Sequence, residues 1–278
     1  MSRQQARRPG AGPVDPVEFL RSLVPLGLLG IAALVPLLRL PVLLLLIGGT
    51  AVALGRDAPV RWAWAATVPV ATSLGWGLLF VPQAVPRGID CTDPTSPIAV
   101  SRLIEAVLVL AVLAVLAVQL KASRETLALH WPRNDVVRLS VIGFLIVGPL
   151  GLLIGPILAR PFFGPVEYDA TRLAALVPAL IFAIANGSME ELAYRGALMG
   201  WSARVVGVWP AVVGQGIVFG LAHSGGDVLG NGLPLMLALA AGGILAGAIT
   251  VRTRSLLFPL AIHIALDIPL YDGLACAR

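Results

Sequence analysis

Two adjacent carboxylates and an arginine stand inside an otherwise apolar part of the chain, where a charge needs a specific reason to be tolerated. Glu190 and Glu191 are followed by Arg195. On a helix, Glu191 and Arg195 stand four residues apart with the acid first, which is the favourable order for an ion pair. Glu190 points about 100° away from its neighbour and faces different surroundings, where a carboxylate suits the role of a general base.

A histidine on the next apolar run falls at the same depth as Glu190. His223 closes that run, and a basic turn at 204–207 lies between the two residues. Glu190 stands 17 residues before Gly207 and His223 stands 16 residues after it, so an antiparallel helix pair brings them level at a rise of about 1.5 Å per residue. The alternative is a polar residue at the membrane interface.

A second histidine is paired with an aspartate on the last apolar run. His263 and Asp267 stand four residues apart and share one face of a helix. Asp267 can accept a hydrogen bond from one ring nitrogen, which leaves the other nitrogen to face a ligand, a metal or a substrate. The alternatives are a polar pair that satisfies itself and, for Glu190, an accessory to an ion pair that pins helices together.

The composition places these residues in a membrane protein. Of the 278 residues, 58% are hydrophobic and 13% are charged, whereas about a quarter of an ordinary soluble domain is charged. The mean hydropathy is +0.89, and several apolar runs approach or exceed the ~20 residues that span a bilayer. We predict an all-α, polytopic transmembrane helix bundle with a catalytic core in its C-terminal half.

Run lengths and the positions of Arg, Pro and Gly predict nine spans. The predicted spans are 22–38, 41–54, 62–81, 98–120, 139–158, 173–201, 208–223, 233–250 and 255–271. Only Arg39 and Leu40 separate the first two, so a single broken element, giving eight spans, is the alternative. Internal repeats are not evident, which argues against a transporter built from inverted halves.

The basic residues sort across the predicted membrane. With nine spans and the N-terminus inside, thirteen of the twenty basic residues fall on the cytoplasmic side and five outside, while Arg102 and Arg195 lie within spans. This asymmetry fits the positive-inside rule and explains the basic net charge without nucleic acid as a partner. With a composition typical of a G+C-rich bacterium, it predicts a multi-pass protein of the bacterial plasma membrane, with a cytoplasmic N-terminus and an external C-terminus.

Three regions follow from this order. They are a disordered cytoplasmic tail at 1–16, N-terminal transmembrane helices at 17–165 and a catalytic helix core at 166–278. The core carries three Gly-x-x-x-Gly repeats, at 196–200, 216–220 and 243–247. Because small residues let helix backbones approach closely in lipid, these repeats predict tight packing within the chain, with dimerisation as the alternative.

Four further polar residues lie within or beside the predicted spans. Arg102 and Glu105, near the outer end of the fourth span, are predicted to reach the interface as a pair. Asn186 precedes Glu190 by one turn, and Asp227 follows His223 by four residues. Both are candidates to support the site, against a simpler interpretation as helix-break and loop residues.

Three motifs in this order resemble those of the CPBP family, which comprises CAAX prenyl endoproteases of the Rce type and bacterial bacteriocin-processing or Abi proteins. The motifs are Glu190-Glu191-x-x-x-Arg195, Phe219-x-x-x-His223 and His263-x-x-x-Asp267, and the resemblance covers about 170–271. Many members end the third motif in Asn. Asp267 therefore leaves open whether that position is a neutral donor or a charged acceptor.

The resemblance implies an intramembrane endopeptidase that depends on a glutamate or on a metal. It implies that Glu190 activates a water for peptide hydrolysis, and that His223, His263 and Asp267 bind a metal or polarise the scissile carbonyl. Glu191, Arg195 and Phe219 then support the site. The cofactor stays unknown: a divalent metal such as zinc suits Glu190, His223 and His263, but the chain lacks the His-Glu-x-x-His helix typical of zincins.

The predicted partners are the lipid bilayer and a membrane-associated protein or peptide as substrate. A prenylated protein, a bacteriocin leader peptide and a membrane protein of the host cell all fit the resemblance. The alternative function is a non-catalytic membrane scaffold or regulator that retains the protease fold. A transporter or proton relay ranks third, since buried Glu and His also mark such paths.

The chain has two cysteines, Cys91 and Cys276, and both fall on the predicted outer side. An oxidising compartment permits a disulfide bond there, and two unrelated thiols are the alternative. A disulfide would protect both cysteines from alkylation until the protein is reduced. Mass spectrometry with and without reduction checks this, and two alkylated thiols in the unreduced protein would contradict the bond.

Overall fold

The computed structural model describes residues 16–56, 59–79, 90–163, 174–223 and 232–275. These residues form nine helices and no β-strand, and one antiparallel bridge joins Leu129 to Ser255. The helices are α1 (Pro16–Leu34), α2 (Arg39–Leu54), α3 (Val60–Leu79), α4 (Pro97–Leu120), α5 (Asn134–Phe163), α6 (Leu176–Val206), α7 (Val208–Ala222), α8 (Gly232–Thr253) and α9 (Leu257–Ala275). Each predicted span overlaps one of these helices, and the predicted all-α architecture is confirmed.

Many of the helices suit a membrane. By length and composition, five of those in the described ranges are able to cross one: Pro36–Leu54, Pro97–Leu120, Asn134–Gly151, Leu176–Val206 and Gly232–Thr253. Three shorter apolar helices accompany them: Phe19–Leu34, Val208–Ala222 and Leu257–Tyr271. The protein is therefore a multi-pass membrane helix bundle, and the number of spans and their orientation stay predictions.

The boundary between the first two helices lies earlier than predicted. We expected it at Arg39 and Leu40, but α1 ends at Leu34 and a short 3₁₀ turn, Pro36–Leu38, precedes α2. Pro36 has no backbone N–H and forces the residue before it out of the helical region, and Val35 is indeed extended at φ −119° and ψ 96°. A proline, not the arginine, breaks the element.

The N-terminal helices pack directly on the helices that carry the predicted site. One buried cluster includes Leu29, Leu46, Val70, Val109 and Trp201, from α1, α2, α3, α4 and α6. Helix α9 packs against both α5 and α6, and α4 packs against α6 from another side. The long helix α6 is thus enclosed by its neighbours, which accounts for its being the most buried of the five candidate spans.

A polar contact joins α4 to α9 at one end of the bundle. Ser96, the residue that caps α4, shares a hydrogen bond of 2.7 Å with the hydroxyl of Tyr271 on α9. The same hydroxyl donates to the backbone carbonyl of Cys91 at 3.1 Å. Cys91 is disulfide-bonded. Cys276, the other cysteine of the chain, lies outside the described residues, as do Asp227 and all of the predicted tail at 1–16 except Pro16, which begins α1.

Glycines bring α7 and α8 into close contact. A Cβ atom at Gly216 would lie 2.7 Å from the backbone nitrogen of Ile244, and one at Gly220 would overlap the carbonyl oxygen of Met236. Gln215 adds a hydrogen bond of 2.7 Å from its side-chain amide to the carbonyl of Gly243. Two of the predicted Gly-x-x-x-Gly repeats therefore pack within the chain, as small residues in membrane helices allow.

We expect Gly220→Ala to destabilise the protein and Gly214→Ala to leave it as stable or slightly more stable. The methyl group at position 220 meets the backbone of α8, and such overpacking costs about 1–3 kcal/mol. At position 214, on the same helix, a Cβ meets nothing within 4 Å, so only the gain in helix propensity of about 1 kcal/mol remains. Thermal unfolding in detergent checks this, and equal midpoints for both variants would contradict close packing of α7 on α8.

Candidate active site

Helix α6 changes its winding where the two glutamates stand. It is α-helical over Leu176–Glu190, π-helical over Glu191–Met199 and α-helical again over Gly200–Val206. A π segment usually occupies a single turn and is found most often at functional sites. Because the change begins between Glu190 and Glu191, it sets the directions in which both side chains leave the helix.

The predicted ion pair within α6 is present and buried. Arg195 Nη1 lies 3.1 Å from Glu191 Oε1, and the two side chains are only 3% and 2% exposed. The ring of Phe219, from α7, lies 4.4 Å from the centre of the Arg195 guanidinium, and Tyr194 packs edge-on against that ring. An aromatic face excludes water and attracts the cation, so Phe219 supports Arg195 from the neighbouring helix.

Glu191 also reaches the last helix. Its Oε1 lies 2.8 Å from Nδ1 of His263, on α9. The ring nitrogen donates here, because an ionised carboxylate can only accept. The contact that orients the imidazole therefore comes from Glu191, while Asp267 lies 3.6 Å from the other ring nitrogen, Nε2.

Glu190 lies between two imidazole rings. Its Oε2 is 3.5 Å from Nε2 of His263, and its Oε1 is 4.0 Å from Nε2 of His223. The longer gap exceeds a direct hydrogen bond, and Oε2 is buried with no hydrogen-bond partner among the described residues. A buried, unpaired carboxylate oxygen facing two ring nitrogens is an acceptor site for a water molecule or a substrate group.

His223 reaches this point because a sharp turn separates α6 from α7. Gly207 takes a φ of +90° there, a backbone conformation that glycine adopts without a steric penalty. Nδ1 of His223 lies 2.7 Å from the carbonyl oxygen of Phe219, so its Nε2 is turned toward Glu190. The side chain of His223 is 34% exposed, against 9% for Glu190 and 14% for His263, and the site is most open on the His223 side.

Asp267 is held by Asn186 from α6. The Asn186 amide donates to Asp267 Oδ2 at 2.8 Å, and both residues are buried. In this contact Asp267 is an acceptor, and the nearest groups around it include the imidazole of His263. The candidate supporting role for Asn186 thus has a specific contact behind it, and Asp227 lies outside the described residues.

Sequence reasoning missed the position of Glu105. We expected it at the membrane interface with Arg102, but Glu105 is 2% exposed and lies inside the bundle. It accepts from Ser73 of α3 at 2.6 Å and from Arg102 Nη1 at 2.9 Å, and it interacts electrostatically with Glu190. A single serine in an apolar helix does not indicate which residue of another helix it contacts. The sequence therefore predicted only the local pair of Arg102 and Glu105.

The described residues leave the predicted metal ion as a prediction. Among them, no group of three or more His, Cys, Asp or Glu side chains is recognised as a metal site. Glu190 stands 3.5 and 4.0 Å from the two ring nitrogens, and donor atoms that each lie about 2.0–2.2 Å from one zinc ion have similar separations. No catalytic step below is routed through a metal.

Fold and site together define a membrane helix bundle with a buried glutamate and two histidines brought together by three helices. Residues 172–269 match the family model described as type II CAAX prenyl endopeptidase Rce1-like. The match confirms the resemblance of the three motifs, and it supports a CAAX-type intramembrane protease in general. No curated protein and no solved structure gives a significant match to the chain.

We expect Arg195→Met to destabilise the protein by about 3–5 kcal/mol, the cost of leaving one charge of a buried pair without its partner. Arg204→Met is the matched control, since Arg204 is exposed and stacks on Trp62 at 4.1 Å, a contact that contributes about 0.5–1 kcal/mol at an exposed site. Unfolding of both variants in detergent measures the difference. If Arg195→Met lost no more stability than Arg204→Met, the result would contradict a stabilising role for the buried ion pair of Arg195 and Glu191.

Proposed function

We propose that this protein is an intramembrane endopeptidase that hydrolyses a peptide bond of a membrane-associated protein or peptide. The observation that carries the proposal is the position of Glu190, whose buried carboxylate faces Nε2 of both His223 and His263 across gaps of 4.0 and 3.5 Å. A base beside two groups that can bind a carbonyl oxygen is the arrangement that amide hydrolysis requires.

Glu190 is the general base for the attacking water. The unpaired Oε2 accepts a hydrogen bond from that water and takes its proton as the water oxygen bonds to the carbonyl carbon. The carbonyl oxygen becomes an oxyanion in this step. When the carbon–nitrogen bond breaks, the proton held by Glu190 passes to the departing amine, and Glu190 returns to its ionised form.

His263 stabilises the oxyanion. Its Nδ1 donates to Glu191, and its Nε2 faces Glu190 and Asp267. For this role both ring nitrogens must be donors, Nδ1 to Glu191 and Nε2 to the oxyanion. Such a preorganised N–H points at the negative charge that develops on the carbonyl oxygen. Removing a donor of this kind typically lowers turnover by about 10²–10³-fold.

His223 completes the site from the open side. Its Nδ1 donates to the carbonyl of Phe219. Nε2 therefore meets the substrate's carbonyl oxygen in the imidazolium form of the ring, in which both nitrogens are donors. Because His223 is the most exposed of the three groups, the peptide enters past it. The remaining residues hold this geometry: Glu191 with Arg195 and Phe219, and Asn186 with Asp267.

The substrate class follows from the family and the setting. A prenylated protein or peptide is the first substrate to test, since the family description names a prenyl endopeptidase, and a leader peptide is the second. Both lie in or on a bilayer, which fits an active site enclosed in a helix bundle. We place the protein in a bacterial plasma membrane, with its N-terminus in the cytoplasm.

We expect Glu190→Gln to abolish hydrolysis while the protein stays folded. The test uses purified full-length protein in lipid vesicles with internally quenched peptides, each made with and without a prenyl group on a cysteine near its C-terminus. Loss of a general base lowers turnover by about 10²–10⁴-fold. Thermal unfolding of Glu190→Gln is expected to match that of the parent, because Oε2 has no hydrogen bond to lose among the described residues.

The neighbouring variant Glu191→Gln is the control, because it removes the same charge from a carboxylate that accepts from Arg195 and His263. It is expected to lower the unfolding temperature, which Glu190→Gln does not. Equal cleavage by the parent and Glu190→Gln would overturn the assignment of the base. A parent that cleaves no peptide of the panel would overturn the endopeptidase in favour of a non-catalytic membrane scaffold.

A further inference from the structure

Helix α4 directs a charged pair into the bundle. Its buried residues lie on one face of the helix. They are Ala99, Glu105, Ala106, Val109, Leu113, Leu116 and Leu120. Arg102 falls on this face, between Ala99 and Ala106. The positions that follow it in the sequence point elsewhere, as the exposed Leu103 and Ile104 show. Arg102 therefore faces the interior and not the lipid.

The position of Arg102 is fixed by its neighbours. Its Nη1 lies 2.9 Å from Glu105 Oε2, and Glu105 Oε1 accepts a hydrogen bond of 2.6 Å from Ser73 on α3. Its guanidinium lies 5.5 Å from the ring centroid of Phe182, on α6. Three helices thus hold one cation, whose side chain keeps 26% exposure where Glu105 keeps 2%.

Arg102 and Asp267 lie at the same depth of the bundle. Ser96 and Tyr271 touch at 2.7 Å and mark a common level for α4 and α9. Arg102 stands six residues beyond Ser96 and Asp267 four residues before Tyr271, so at 1.5 Å per residue they lie about 9 Å and about 6 Å below that level.

Phe182 links the cation to the aspartate on α6. The ring beneath the guanidinium packs on Tyr271 at 5.7 Å, one turn from Asp267. Asn186, the hydrogen-bond donor to Asp267, follows Phe182 by one turn of α6. The Arg102 guanidinium acts on the Asp267 carboxylate through space, more weakly than His263 and Glu190 do.

The buried carboxylates around the site require compensating positive charge. Among the described residues, four carboxylates are buried within the bundle: Glu105, Glu190, Glu191 and Asp267. Arg195 offsets Glu191, Arg102 pairs with Glu105, and Glu190 faces both histidines. Within the described ranges, Asp267 has no cation to itself, because the histidine beside it, His263, also meets Glu190 and Glu191, and an uncompensated anion in a bundle interior is costly.

We propose that Arg102 is a positioning residue for the reaction: held by Glu105, it supplies the second positive charge that keeps the Asp267 carboxylate in place beside His263. This inference rests on the proposed function, because its effect is read through His263 and the oxyanion. Arg102 itself touches no reacting atom. Without Arg102, the negative charge of Asp267 is offset by His263 alone. His263 then moves toward Asp267 and away from Glu190 and the substrate carbonyl.

The test compares turnover and KM for the peptide that the parent cleaves fastest, in vesicles, with thermal unfolding of every variant. We expect Arg102→Gln to lower kcat by about 10- to 100-fold, the usual effect of losing a residue that orients a catalytic group, with KM within about threefold. Arg102→Lys, which keeps the charge, is expected to retain kcat within about threefold of the parent.

Two further variants separate positioning from simple support of the fold. In Arg102→Met with Glu105→Leu, the pair is replaced by apolar groups and no buried charge is left unpaired, so we expect a folded protein with the same loss of kcat as Arg102→Gln. In an Asp267→Asn background, which removes the charge that Arg102 offsets, Arg102→Gln is expected to cause a much smaller further loss, since coupled residues are not additive.

The inference is overturned if Arg102→Gln turns over at the parental rate, or if it lowers kcat by the same factor in the Asp267→Asn background as in the parent. It is also overturned if Arg102→Lys loses as much as Arg102→Gln with unchanged unfolding. Glu190→Gln is run in the same assay: parental activity in that variant counts against the proposed function, whereas loss in Glu190→Gln with full activity in Arg102→Gln counts against this inference alone.

Discussion

The carboxylate of Glu191 is the contact on which the rest of the site depends. One of its oxygens meets Arg195 of its own helix at 3.1 Å and His263 of α9 at 2.8 Å. It therefore fixes the rotation of α6 about its axis and the direction of the imidazole ring at the same time. With Glu191 turned toward α9, Glu190 must point about 100° away, into the gap between the two rings. The position of His263 relative to Glu190 depends on this contact.

A membrane bundle tolerates the four buried carboxylates described above because each lies beside a cation or a donor. Isolated charges in such an interior are expensive, and breaking a buried pair by removing one member is strongly destabilising. Here the compensation comes from different helices: Arg195 within α6, His263 from α9, and Arg102 with Ser73 beside Glu105 on α4. The polar groups of the candidate site are thus also contacts that join its helices, including the N-terminal helices α3 and α4.

Sequence alone predicts the helices and the three motifs, because both depend on local spacing. Apolar runs predict nine helices, and the interval around Gly207 predicts that Glu190 and His223 lie level. The contacts that sequence could not predict join helices distant in the chain. The contact of Glu191 with His263 depends on the rotation of two helices and on a π segment whose hydrogen bonding leaves no compositional trace. Glu105 was misplaced for a related reason: its pairing with Arg102 at i, i+3 explained both charges locally, and its partner on α3 was invisible.

The enclosure of Glu190 also constrains what can be cleaved. A peptide bond inside a transmembrane helix has its carbonyl paired with an N–H of the same helix, and such a carbonyl cannot accept from His263 or His223. The scissile bond must therefore lie in backbone that is not helical. Exposing that backbone to lipid would leave its polar groups unsatisfied, at several kcal/mol for each group. Under the proposed function, an extended segment enters past His223, the most exposed of the three groups, and meets donors that replace the hydrogen bonds it lacks. We therefore expect the site to select substrates by their unfolded backbone as well as by their membrane anchor.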